Sequence, residues 1–251
     1  MRKLLFMIAL LLVCAASSNA AITRVQRVAG SYPGSGNPWH ITIASSGSGN
    51  LLVAECAWNS GGTGVYTNTT DNKGGGSSTY NNDFLATVGS GGGVVLIAST
   101  YNTASGITQV NVNFSGSDIG SACLVEEWSG IQTSSSPLDK TTSNSASGTS
   151  WVTGTTATLT GSADLAIAVD YDPASHNDTN APSGGFGDGG SMINATSDVV
   201  FFTENKILSG TTGVQGSGTV TGSQSTYRSA IVTYLAGGGA ASGHCAACDL
   251  S

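Results

Sequence analysis

Charge is what this chain has least of. Only 9% of its 251 residues are Asp, Glu, Lys or Arg, against about 25% in an average soluble domain. The little there is leans acidic, with 15 carboxylates against 8 basic residues and a formal net charge of −7. That balance repels phosphate backbones and anionic lipid, so nucleic-acid binding is excluded from the expected functions. Histidine is scarce too, and only His40 and His176 lie in the body of the chain. There is no His-Glu-x-x-His, no phosphate loop and no dinucleotide fingerprint. Despite abundant Gly and Ser, Gly-x-Ser-x-Gly never occurs, which excludes the strained elbow of an α/β-hydrolase. Long apolar runs are missing as well. The longest, Leu4 to Val13, falls well short of the roughly 20 residues that span a bilayer.

That short run has a different reading. Arg2 and Lys3 precede it, and Ser18-Asn19-Ala20 places small residues at −3 and −1 of a cleavage point, the layout of a secretory signal peptide. Removal of residues 1–20 leaves 231 residues, six basic against fifteen acidic, with no membrane span. Leu11-Leu12-Val13-Cys14 lacks the small residue that lipidation needs before its cysteine. The cysteines left are Cys56, Cys123, Cys245 and Cys248, too few for a disulfide scaffold of this length. Cys56 and Cys123 lie in apolar strands, as buried thiols or as a bridge. Cys245 and Cys248 are expected to pair locally, or between chains, in a Gly/Ala-rich tail over 238–251. One half of a zinc site is not a zinc site.

What is present is β-structure. Short runs rich in Val, Ile and Leu alternate with Gly, Ser, Thr and Asn clusters. Strands are expected at Ile41–Ala44, Asn50–Trp58, Val94–Ala98, Val110–Phe114, Cys123–Trp128, Thr156–Thr160, Leu165–Asp170, Val199–Thr203, Gly218–Thr221 and Ala230–Leu235. Val94–Ala98 and Val110–Phe114 are expected to pair as a hairpin through Asn102–Gly106. The second of these alternates strictly, giving one buried and one wet face. No sustained 3.6-residue period appears. The expected fold is all-β, a single antiparallel sandwich of jelly-roll type over 21–237. The order of motifs in Val94–Gly130 recurs in Val199–Gly237, and Asn50–Ala54 echoes Ala163–Ile167. The plainer account is that sandwich strands resemble one another.

Several motifs occur together: Gly49-Asn50-Leu51-Leu52-Val53, Asp71 and Tyr80, Val110-Asn111-Val112-Asn113-Phe114-Ser115-Gly116, Glu127-Trp128-Ser129-Gly130 and Ser136-Pro137-Leu138-Asp139. In this order the chain resembles an uncharacterised secreted bacterial β-sandwich family with a "GNLL … VTVTFSG … EYSG … SPLD" pattern. It departs at Asp71-Asn72-Lys73-Gly74-Gly75, where the family writes "DxxGNxY". The resemblance implies an exported, surface-associated domain and no assigned catalysis.

Three constellations carry what chemistry there is. Glu126 and Glu127 are adjacent in a strand, so they point to opposite faces and cannot form a glycosidase pair with each other. Glu127, with Glu55 as a partner across adjoining strands, is the candidate acid, and a strand-end anchor accepting loop N–H bonds is the preferred reading. Asp170, Asp172, Asp178 and Asp188 share a stretch without Lys or Arg, the kind of carboxylate set that holds extracellular calcium. The EF-hand spacing is absent. Trp39, Tyr66, Tyr80 and Trp151, placed near loops, are candidate rings for a sugar platform, with Glu127 beside them. His40 is expected to be an exposed loop residue. The expectation is an exported, non-catalytic structural or adhesive module of the surface, with glycan, another surface protein or self-association as contacts. A carbohydrate-binding module, calcium-dependent or not, is the second reading, and a secreted glycosidase the third.

Overall fold

The computed structural model describes residues 21–32, 37–59, 65–73, 80–88, 93–115, 120–172, 179–194 and 199–237. The expected leader, Asp178, His176 and the tail with Cys245 and Cys248 lie outside them. The described residues are all-β, and their strands pair antiparallel throughout.

The central sheet orders β1 (Thr23–Tyr32), β8 (Gly120–Ser129), β3 (Leu51–Asn59), β6 (Gly93–Thr100) and β5 (Asn81–Val88). An outer sheet of β2 (Trp39–Thr42), β7 (Gln109–Ser115) and β4 (Val65–Asp71) covers one of its faces. On the other face lies a second large sheet. There β14 (Ser217–Tyr234), β10 (Leu165–Asp172), β13 (Val199–Ile207) and β12 (Gly187–Asn194) run in order, with β9 (Leu138–Val152) and β11 (Asn180–Pro182) also paired to β14.

Side-chain alternation explains the layers. In β3, Leu52, Ala54, Cys56 and Trp58 meet the outer sheet's Trp39, Ile41, Val110, Val112 and Phe114. Leu51, Val53 and Ala57 of the same strand meet Leu165, Ile167, Val169 and Tyr171 of β10. Both β6 and β10 are buried along their whole length. A strand covered on both faces reads as a continuous apolar run instead of alternating, which is how Val94–Ala98 and Leu165–Val169 look. Beyond the second sheet, Trp151, Leu159, Phe202, Leu208, Tyr227 and Ile231 form a third core. Chain segments without formal strand structure cover it, tied by Thr153 N–H to Gly216 O (3.0 Å), Thr156 N–H to Val214 O (2.9 Å) and Leu159 N–H to Thr211 O (2.8 Å).

Several sequence-based expectations are corrected. The sandwich has more layers than two facing sheets. Thr156–Thr160 is part of the irregular cover. Val94–Ala98 and Val110–Phe114 do not pair, because β6 bonds to β3 and β5 whereas β7 bonds to β2 and β4. The Asn102–Gly106 turn, with Asn102 at φ 54° and Gly106 at φ 87°, carries the chain from one sheet over to the next. The recurrence set aside as general strand likeness matches the topology: β1-β8-β3-β6-β5 and β9-β14-β10-β13-β12 are the same order. Register agrees too, since Leu51 faces Trp128 as Leu165 faces Tyr234, and Cys56 faces Cys123 as Asp170 faces Ser229.

Cys56 and Cys123 are bridged, across adjacent strands with Cα atoms 4.1 Å apart. No helix among the described residues is long and apolar enough to cross a membrane.

Candidate functional site: a neutral polar sheet face

The alternation in β7 builds a polar surface on the outer sheet. Val110, Val112 and Phe114 point into the core, which turns Gln109, Asn111 and Asn113 outward. Antiparallel register then sets neighbours beside each. Thr42 lies opposite Gln109, His40 and Thr70 flank Asn111, and Asn68 lies opposite Asn113. Asn72 closes the top row, its N–H bonding Gln109 O at 3.1 Å and its Oδ1 accepting the N–H of Thr108 (3.0 Å) and of Gln109 (3.2 Å).

These side chains are tied to one another. Gln109 Nε2 donates to Asn111 Oδ1 at 2.6 Å, and Asn113 Nδ2 donates to Thr70 Oγ1 at 3.3 Å. His40 Nδ1 lies 2.6 Å from Asn111 Oδ1 and 2.5 Å from Gln109 Nε2. It donates to the first in one tautomer and accepts from the second in the other. Asp71, in β4, is turned inward and buried; Lys73 lies past the end of β4. The face is thus amide, hydroxyl and imidazole. Its strand positions follow from the alternation at Gln109–Ser115, but the neighbours from β2 and β4 do not. His40 is exposed, as expected, yet it sits in a strand.

The residues singled out from the sequence are placed elsewhere. Trp39 and Tyr80 are in the core under the outer sheet, and Trp151 is wholly inside the third core, its Nε1 donating to Asn180 Oδ1 at 3.0 Å. None of these three rings offers a face for a sugar. Tyr66 is half-buried against Trp58, its hydroxyl 3.0 Å from Thr69 Oγ1 and donating to Asn82 Oδ1 at 2.7 Å. Burial, with Asp71 nearby, pushes the Tyr80 hydroxyl up out of the ordinary range.

Glu127 is completely buried on the outer-sheet side. Its Oε1 accepts Gly47 N–H (2.7 Å) and Asn50 Nδ2 (2.5 Å), and its Oε2 accepts Gln26 Nε2 (2.5 Å). This is the anchor geometry: a carboxylate stitching the Gly47–Asn50 turn and β1 to β8. Glu55 is not its partner. Strands β3 and β8 do adjoin, but Glu55 points to the opposite face of the central sheet, where its carboxylate neighbour is Glu126. Glu126 is held by Arg24 Nη1 (3.2 Å) and Trp128 Nε1 (2.8 Å). Burial, then Glu126, raises the Glu55 carboxyl well above the usual range despite Arg27 and Arg24. Burial also raises Glu126, against the pull of Trp128 and Arg24.

Of the acidic stretch, Asp170 and Asp172 are fully buried on the outer face of the second sheet and do not form an open loop. Burial raises Asp170 well above the carboxylate range, opposed by Gln224 Nε2 donating at 2.6 Å and reinforced by Asp172 and Glu204. Asp188 lies in β12 opposite Glu204. Among the described residues no three His, Cys, Asp or Glu side chains are grouped as a metal ion requires. No family model, curated protein or solved structure matches the chain.

Proposed function

We propose that this chain is an exported, non-catalytic module of the cell surface or extracellular space, with a structural or adhesive role. The observation that supports it best is the use made of Glu127. The strongest catalytic candidate spends both carboxylate oxygens on three structural donors and has no exposure to substrate. The Cys56–Cys123 bridge supports export, because disulfides persist in oxidising compartments. The order β1-β8-β3-β6 opposite β2-β7-β4 supports reading the first eight strands as a jelly roll, and the likeness to secreted bacterial sandwich proteins agrees with that. A carbohydrate-binding role is the second reading, favoured by the uncharged face of β2, β7 and β4.

The test is fractionation of a bacterium expressing the full chain, with alkylation of thiols before lysis. The chain is expected outside the cytoplasm, without residues 1–20 and with Cys56 and Cys123 protected. Recovery from the cytosol with the N-terminus intact and both thiols alkylated would refute the reading.

A further inference from the structure

We infer that the outward face of β2, β7 and β4 binds an uncharged polysaccharide. The inference rests on the extracellular reading and adds to it a surface and a class of ligand.

Strands of one sheet lie about 4.8 Å apart, and same-face residues along a strand about 6.7 Å apart. Thr42, Gln109 and Asn72, then His40, Asn111 and Thr70, then Asn113 and Asn68, therefore form a grid of hydrogen-bonding groups. Amides and hydroxyls both donate and accept, as sugar hydroxyls do. Mutual hydrogen bonds hold Gln109, Asn111 and His40 in place before any ligand arrives. Less rotamer freedom is then lost on binding.

Charge narrows the ligand. The chain carries −7 overall, and the grid contains no Lys, Arg, Asp or Glu. An acidic polymer would find repulsion at long range and no cation on the grid, while a cationic one would find no carboxylate. Only a neutral chain loses nothing. A protein partner fits less well, because interfaces centre on buried aromatic or apolar anchors. Among the described residues the exposed large apolar ones are Val25, Val65, Leu85 and Ile207, and of these only Val65 lies on this sheet, at its end.

Affinity electrophoresis tests this, with the full chain run through gels cast with laminarin, galactomannan or xyloglucan, and with alginate as the anionic control. Retardation is expected in at least one neutral gel and not in alginate. Gln109→Ala with Asn111→Ala should weaken that retention at least tenfold without moving the melting temperature. Thr42→Lys, at an exposed position, should weaken it as well, so the result does not depend on the double variant folding. Absence of retardation in every neutral gel, stronger retention in alginate, or retention unchanged in Thr42→Lys would overturn the inference. An exported chain that fails here loses the glycan face but keeps the extracellular role; a cytosolic chain loses the role itself.

Discussion

The two halves of this molecule share a strand order and differ in what they bury. In the first half, the face of the central sheet turned to β2, β7 and β4 is apolar except for the hydrogen-bonded Glu127 at its margin, and it is cross-linked, with Trp58 against Phe114 and the Cys56–Cys123 bridge beneath. The corresponding positions of the second half hold Asp170 for Cys56, Ser229 for Cys123, Asp172 for Trp58 and Glu204 for Ala98. Between the large sheets the bias reverses, with Glu55 and Glu126 from the first half where the second supplies Val169 and Val232. Buried carboxylates are costly unless paired, hydrogen-bonded or protonated. The same topology therefore tolerates a sealed core and a polar one. The covering layer matches the difference: a regular three-stranded sheet over the first, bonded irregular chain over the second.

The sharpest way to break this comparison is to remove the bridge. Closing a loop with a sequence separation of 67 residues restricts the unfolded chain by about 4 kcal/mol in the entropy model, and measured losses run about 2–4 kcal/mol. Cys56→Ala with Cys123→Ala should cost that much in urea unfolding. Amide exchange should quicken in β2, β7 and β4 before β10 and β13. Equal quickening in both halves would mean that the disulfide does not set the first half apart.

A smaller effect is expected at Glu127. Its counterpart in the second half is Thr233, whose Oγ1 accepts the Lys140 N–H at 3.1 Å and donates to Lys140 O at 3.5 Å. Glu127→Gln replaces a charged acceptor of three donors with an amide that must turn an N–H toward one of them. Hydrogen bonds to charged groups contribute about 1.5–3 kcal/mol, so a loss in that range is expected in chemical denaturation. Thr233→Val should cost less.

The smallest effect is confined to a pH window. Asp139 accepts Thr160 N–H at 2.7 Å and Lys140 Nζ at 2.5 Å, and these contacts, against burial, hold it below the usual carboxylate range. Burial first, and Asp139 second, push the neighbouring Asp164 up to about 7. A carboxyl raised on folding stays protonated in the native state after the unfolded chain has ionised. Its contribution is complete below pH 3.8 and is lost as pH rises to about 7. Asp164→Asn should therefore match the parent at pH 4 and melt higher at pH 8. Parallel melting curves at both pH values would show that Asp164 does not titrate in the native state.

How much of this was legible in the sequence depends on burial pattern. Strands wet on one face or dry on both announce themselves, so β3, β6, β7, β8, β10 and β13 were found near their true places. Strands β1, β4, β5, β9, β11 and β12 give no such signal. They lie at or near sheet edges and carry Ser, Thr, Asn, Gly or Arg where a core strand carries Val. A turn signal such as Asn102–Gly106 says that the chain reverses but not which sheet receives it. Parity separated Glu126 from Glu127 correctly. It equally places Glu55 and Glu126 on one face once the β3–β8 register is known, and that register is a long-range fact. Asp170 and Asp172 read as part of a calcium-type carboxylate set because alternate aspartates look like polar chain, whereas here they are buried positions in the second half of β10. The Gly and Ser neighbours of the aromatics read as loops, yet Trp39 and Trp151 are large rings that fill two cores.

The middle strands of the central sheet, β8, β3 and β6, have no face turned to water. Among the described residues each half of the chain lends the other a wall, and the two large sheets stand between the outer sheet and the irregular cover. Loops at the two extremities can therefore change in length or chemistry without being felt at the opposite end, leaving each free to acquire its own specificity.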